Sequence, residues 1–339
     1  MATLRERLEP VLERSAPRRT GLVVGAAAGR DVALWHRGRL PDGAHSIFEI
    51  GSVTKTFTAT LLAGMALEGL VSLDDPVNRH LPAGVRVPPR GREITLEDLA
   101  SHRSGLPVVP RGLLWRALTV DRRDPYARWD AARLEAAVPR TRPRREPGRK
   151  FRYSNYGVGL LGYALSLRAG TTYEELVRTR ICAPLGLADT WIEPPAAVRP
   201  RVAEGHSRRG GPVPHWHLAA LAGAGGLRAT AADLLAFMRV HGPGARHPLA
   251  AAAAETRRPR MRLRRLDLCL GWMSIPPGGP LLPPWRLRRR VFLHEGATGG
   301  FRSFAAFVPE AGVAAVVLAN RARPVGRLGL RVLRVLLRE

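Results

Sequence analysis

Strand-like segments stand near both ends of this chain with a long helical stretch between them, and few folds accommodate that order. Gly21 to Ala27 and Asp31 to Arg37 are short β-rich runs separated by a glycine-containing turn, which reads as a hairpin. Four further runs come much later: Leu268 to Ile275, Arg290 to Leu293, Phe301 to Val308 and Val313 to Ala319. A two-stranded hairpin is marginal alone, so the late strands are expected to extend the early hairpin into one sheet. Residues 1–70 and 226–339 would then form a discontinuous α/β sheet domain. Residues 71–225 would form a mainly helical insertion, with Ile94 to Ser101 and Asn155 to Ala169 its clearest periodic stretches. Residues 2–14, Thr230 to His241 and Val325 to Leu337 carry helical spacing, and the last of these is expected to pack on the sheet.

Chemistry enters through the scarcity of lysine. Of 54 basic residues only Lys55 and Lys150 are lysines, leaving 52 arginines. A chain with that preference keeps a lysine where arginine cannot substitute, and the task arginine cannot perform is giving up a proton. Lys55 stands three residues after Ser52, in Ser52-Val53-Thr54-Lys55. After the short extended run Ile47 to Ile50, Gly51-Ser52 opens an apolar-periodic helix through Leu70. Positions i and i+3 share one helix face, so Ser52 and Lys55 can enter one pocket, and the helix N-terminus favours negative charge developing there. This is the pattern of a nucleophile with its base. A second grouping of rare residues, Tyr153-Ser154-Asn155, places one of three asparagines two positions after one of five tyrosines. Chance would produce that about 0.04 times, so the two motifs in order are not background.

The remaining composition narrows the class. Apolar residues make up 45% and charged residues 24%, a globular balance, and no apolar run is long enough for a transmembrane span. The start has no signal-peptide pattern, which predicts a cytoplasmic protein, or an exported one if the true start lies upstream. Cys182 and Cys269 are isolated among apolar neighbours and are expected to be buried free thiols. His215-Trp216-His217 could present two imidazoles on one side of a strand, but no third ligand is evident, so no metal and no cofactor are expected. The net charge of +26 is concentrated in Arg140 to Lys150, Arg257 to Arg265 and Arg286 to Arg290. No helix-turn-helix, zinc-finger or RNP-type pattern accompanies it, so solvated surface is the favoured reading over a specific nucleic-acid partner.

Taken with His294-Glu295-Gly296 ahead of a strand, these motifs resemble the serine β-lactamase superfamily, most of all its class C β-lactamase and D,D-peptidase branch. The likeness runs from about Phe48 to Asn320. It includes Leu73-Asp74-Asp75-Pro76, Leu99-Ala100-Ser101-His102-Arg103-Ser104-Gly105-Leu106 and Ala224-Gly225-Gly226-Leu227. The resemblance implies an α+β fold, an antiparallel sheet flanked by helices with an inserted helical region. It also implies Ser52 as the acylated nucleophile, Lys55 as its activator, and Tyr153 as general base or acid with a phenol acidified by nearby positive charge. Asn155 would orient the substrate amide or the lysine, and the N–H groups of Ser52 and Ala297 would form the oxyanion hole. The loops around Val108 to Arg122 would line the substrate cleft.

One departure bears on substrate. Many relatives carry Lys-Thr-Gly where this chain has His294-Glu295-Gly296, and the threonine helps to hold a substrate carboxylate. A glutamate there repels one. Arg302 is a candidate replacement cation, and an imidazolium at His294 would give a pH dependence near 6.5. The expected function is therefore a serine hydrolase acting through an acyl-enzyme on a small-molecule ester or amide. D,D-carboxypeptidase or β-lactamase action is the alternative, and a non-catalytic ligand- or polyanion-binding protein on the same fold is the alternative from another class. The oligomeric state cannot be read from these residues.

Overall fold

The computed structural model describes residues 3–13, 20–113, 123–242, 244, 247–282, 285–286 and 288–337. Its centre is an eight-stranded sheet. The strands are β1 (Leu22–Ala28), β2 (Asp31–Arg37), β3 (Met261–Arg262), β4 (Asp267–Leu268), β5 (Met273–Ile275), β6 (Val291–Ala297), β7 (Arg302–Val308) and β8 (Val313–Ala319). Their order is β2-β1-β8-β7-β6-β5-β4-β3, every neighbouring pair antiparallel, so the early hairpin joins the late strands through β1 and β8, with Leu22 opposite Ala319.

The two-residue alternation of β1 shows how the sheet is covered. Leu22, Val24 and Ala26 face a layer made by α1 (Leu4–Glu13) and the C-terminal helix, where Leu8, Leu12, Val332 and Leu333 meet Phe304 and Val317. Val23 and Ala27 face the opposite, larger core, which contains Phe57, Phe237, Phe307 and Val316. The principal helices of the two layers are α2 (Thr54–Leu67), α3 (Asn155–Ala169), α4 (Ala231–Arg239) and the C-terminal α5 (Gly326–Leu336). Covered on both faces, β8 is buried along its length, and its sequence Val-Ala-Ala-Val-Val-Leu-Ala is apolar without alternation. In α2 the buried positions run round the helix, and Lys55 and four threonines are buried with the apolar residues. Such a helix lies inside the protein rather than on its surface.

Several boundaries move from their sequence expectations. A 3₁₀ turn, Gly51–Val53, precedes α2, which stops at Leu67. Leu268 to Ile275 is two short strands joined through Gly271, whose φ of 66° suits glycine; a Cβ there would meet the Lys55 carbonyl oxygen at 2.6 Å. Most consequential is β6, which continues through Ala297. His294-Glu295-Gly296 therefore lies within one strand as well as ahead of the next, because residues 294–297 stay paired with 302–305 of β7. The predicted N-terminal helix is seen as Leu4–Glu13; residues 2 and 14 lie outside the described residues. Among the described residues no helix is long and apolar enough to cross a membrane, and Cys182 and Cys269 are both free and buried.

The arginine-dense stretches are partly tied down. Arg260 reaches Glu97 at 3.0 Å and also pairs with Glu255, and Arg290 meets Asp267 at 2.5 Å. Some of the basic charge therefore serves internal contacts.

Candidate active site

The start of α2 is held from three sides. Leu227 N–H donates to Thr54 Oγ1 and Ile50 N–H donates to the Leu227 carbonyl, at 3.2 and 3.0 Å. From the sheet, Ser303 Oγ donates to the Ile50 carbonyl at 2.7 Å. Gly51 has a φ of 49°, and a Cβ on it would sit 2.7 Å from the Ala297 nitrogen, so glycine is what permits β6 to end against the turn carrying Ser52. The register also sets the direction of the Ala297 amide. Thr298 N–H donates across the hairpin to Phe301, so by antiparallel alternation the neighbouring Ala297 N–H points away from β7.

Within this frame Ser52 Oγ lies 2.8 Å from Lys55 Nζ and 2.7 Å from Tyr153 Oη. Lys55 Nζ also donates to the Ala224 carbonyl at 2.5 Å and sits 5.1 Å from the Tyr153 ring centre. The side chain of Lys55 is fully buried, and loss of solvation presses its pKa well below the ordinary lysine value. A neutral amine at that distance can accept the serine proton. Tyr153 departs from expectation. Burial pushes its phenol up to about 12, outweighing the hydrogen bond with Ser52, so it is a neutral donor and not an acidified phenol.

The next residue along the chain fixes the position of Tyr153. Ser154 caps α3, accepting the Gly157 N–H at 2.8 Å and donating to the Pro107 carbonyl at 2.6 Å. The Ser154 N–H donates to His102 Nδ1 at 3.2 Å, and the His102 ring lies 4.4 Å from that of Tyr153. Asn155 is in the same cleft but does not hold the lysine. Its Nδ2 donates to Tyr126 Oη at 3.4 Å, and its buried Oδ1 has no partner among the described residues. The cleft, about 400 Å³, is lined by Ser52, Tyr153 and Asn155, by Tyr126 and Trp216, and by Glu295, Gly296, Ala297 and Arg302 along β6 and β7. Of the loop expected around Val108 to Arg122, residues 114–122 lie outside the described residues.

His294 is buried just behind this cleft. Burial first, then the Lys55 charge, push its pKa down to about 3 despite the opposing bond between Nδ1 and the Glu295 carbonyl at 2.8 Å. The expected imidazolium is therefore a neutral imidazole, its proton on Nδ1 facing the carbonyl. A neutral ring throughout pH 5–8 predicts that the pH profile of kcat/KM is unchanged in this range by His294→Asn. An inflection near 6.5 that is present in wild type and missing in the variant would reverse that assignment.

Other histidines stand apart from any shared centre. His215 Nδ1 meets Glu49 at 2.7 Å and His217 Nδ1 meets Asp124 at 2.8 Å, so the two imidazoles take separate carboxylates. Among the described residues no group of three or more His, Cys, Asp or Glu could hold a metal ion. Sequence reasoning passed over Tyr126, Trp216, Ala224 and His102. The last two belong to the runs Ala224 to Leu227 and Leu99 to Leu106 that carry the family resemblance, whereas Trp216 stood out only as the spacer of His215-Trp216-His217 and nothing in the local sequence marked Tyr126.

The profile of the β-lactamase family matches residues 4–338. The chain belongs to the β-lactamase family. It is a serine hydrolase of that family. The D-alanyl-D-alanine-carboxypeptidase/endopeptidase AmpH of Escherichia coli K12 is 30% identical over 289 residues, covering 81% of this chain and 71% of that protein. A β-lactamase of Pseudomonas fluorescens is 29% identical over 313 residues, covering 84% and 82%. Among solved structures, a class C β-lactamase of Rhodobacter sphaeroides superposes with a TM-score of 0.80 at 27% identity, covering 98% of this chain and 97% of that one. In this β-lactamase family member the Ser-x-x-Lys and Tyr-Ser-Asn motifs therefore meet at one point of a fold shared with known relatives.

Proposed function

We propose that this enzyme forms an acyl-enzyme at Ser52 and acts on esters or amides in preference to β-lactams. Ser52 Oγ attacks the carbonyl carbon as its proton passes to Lys55 Nζ, and the oxyanion is received by the N–H groups of Ser52 and Ala297. Tyr153 Oη donates a proton to the leaving group as the tetrahedral intermediate collapses, and Lys55 returns its proton to the phenolate. Water then attacks the ester by the same route in reverse and frees Ser52. Asn155 Oδ1, without a partner among the described residues, is suited to accept a substrate N–H.

The observation that carries the preference is Glu295, which lines the cleft with Ser52 where a carboxylate-binding threonine would serve a β-lactam. Glu295 is exposed to solvent on that cleft, and a second carboxylate brought beside it is disfavoured by like charge. Arg302, on the same cleft, supports a second reading as a D,D-carboxypeptidase, since a guanidinium can receive a C-terminal carboxylate.

Intact-protein mass spectrometry after a fluorophosphonate, together with rates on p-nitrophenyl butyrate and benzylpenicillin, tests the proposal. The expected result is one adduct mapping to Ser52, absent from Ser52→Ala, and a kcat/KM for the ester at least roughly tenfold above that for the penicillin. Faster turnover of penicillin would overturn the preference, and labelling elsewhere would overturn the mechanism.

A further inference from the structure

The two charged side chains lining the cleft do not neutralise each other. Glu295 and Ala297 share a face of β6, and Arg302 stands opposite Ala297 on β7, diagonal to Glu295. Yet Arg302 Nη1 donates to the carbonyls of Thr298 and Phe301, at 2.7 and 2.6 Å, which ties the guanidinium to its own turn. The Glu295 carboxylate has no hydrogen bond or ion pair among the described residues, in a chain with a net charge of +26. Its placement is nonetheless definite. A Cβ on Gly326 would come within 2.0 Å of Glu295 Oε1, so the carboxylate rests on the first residue of α5, whose positive end favours the ionised form.

Facing the same cleft are Tyr126 and Trp216, with ring centres 5.5 Å apart. Aromatic faces attract organic cations, and an unpaired carboxylate in the same space adds a full charge to that attraction.

We propose that Glu295, with Tyr126 and Trp216, selects acyl substrates that carry an ammonium group close to the scissile carbonyl. This rests on the reading of the cleft as an acyl-enzyme site. It assigns Glu295 a positive role beyond the exclusion of carboxylates, as the residue that sets substrate class.

Matched ester pairs that differ only in charge provide the test. Acetylthiocholine is compared with its carbon isostere 3,3-dimethylbutyl thioacetate, which places the charge on the leaving group. The p-nitrophenyl ester of 4-(trimethylammonio)butanoate is compared with that of 5,5-dimethylhexanoate, which places it on the acyl group. The ratio of kcat/KM, cation over isostere, is taken within each protein, so a general loss of activity in a variant cancels. In wild type the ratio should be at least about tenfold in one series, and Glu295→Gln should bring it towards unity. A wild-type ratio at or below one in both series, or a ratio that survives Glu295→Gln, overturns the inference. If the neutral esters acylate Ser52 and turn over without that preference, this inference fails alone. If no ester acylates Ser52, the acyl-enzyme reading fails and takes this inference with it.

Discussion

Lys55→Arg is expected to lower ester kcat/KM by roughly 10²- to 10⁴-fold, the usual worth of a positioned proton-transfer group, even though the substitution keeps the positive charge. Lys55 Nζ is 2.8 Å from Ser52 Oγ, and burial lowers its pKa well below the ordinary lysine value, which favours the amine as a base. A guanidinium stays protonated at any working pH and cannot take the serine proton. It would also have to fit a site with no exposure, against the Ala224 carbonyl. Lys55→Met, close in volume and uncharged, separates chemistry from folding: it should melt near the wild-type temperature and show the same loss of turnover. Activity within about tenfold of wild type in Lys55→Arg would mean that lysine is not the base.

Gly296→Ala is expected to cost about 10²- to 10³-fold in kcat, the scale of one lost oxyanion-hole donor. A Cβ at 296 would fall 2.0 Å from the Ile50 carbonyl oxygen and 2.2 Å from Ser303 Oγ, the two atoms whose hydrogen bond fastens the neighbouring β7 to the turn before Ser52. Backbone cannot yield cheaply there, so the strand must move out and carry the Ala297 N–H away from the serine. Fluorophosphonate labelling of Ser52 should slow in step with kcat, and the melting temperature should fall. A variant with wild-type turnover would show that the Ala297 amide does not serve the reaction.

Much of this site was legible because its central pair is local. Ser52 and Lys55 are one helical turn apart, and the scarcity of lysine marks the second of them. Tyr153 and Asn155 were legible by the same token, since they flank Ser154, the N-cap of α3, and stand together in sequence. The strand segments were readable from their apolar runs. Their ends were less so, because pairing with a partner strand decides where a strand stops, as the extension of β6 through Ala297 shows.

Protonation was not legible. From the sequence, His294 reads as an imidazolium titrating near the ordinary histidine value and Tyr153 as a phenol acidified by nearby positive charge. In the folded protein burial reverses both, sending the imidazole down to about 3 and the phenol up to about 12. The amino-acid sequence by itself determined which groups are available: one serine with one lysine, a tyrosine, a split sheet and a glutamate in place of a threonine. Only the tertiary structure decided their charge states and companions, bringing Tyr126 and Trp216 to the same cleft as Glu295 and leaving that carboxylate without a partner among the described residues. The physical reason is that spacing along a helix or strand is a property of neighbouring residues, whereas solvation is set by segments hundreds of residues apart that meet only on folding.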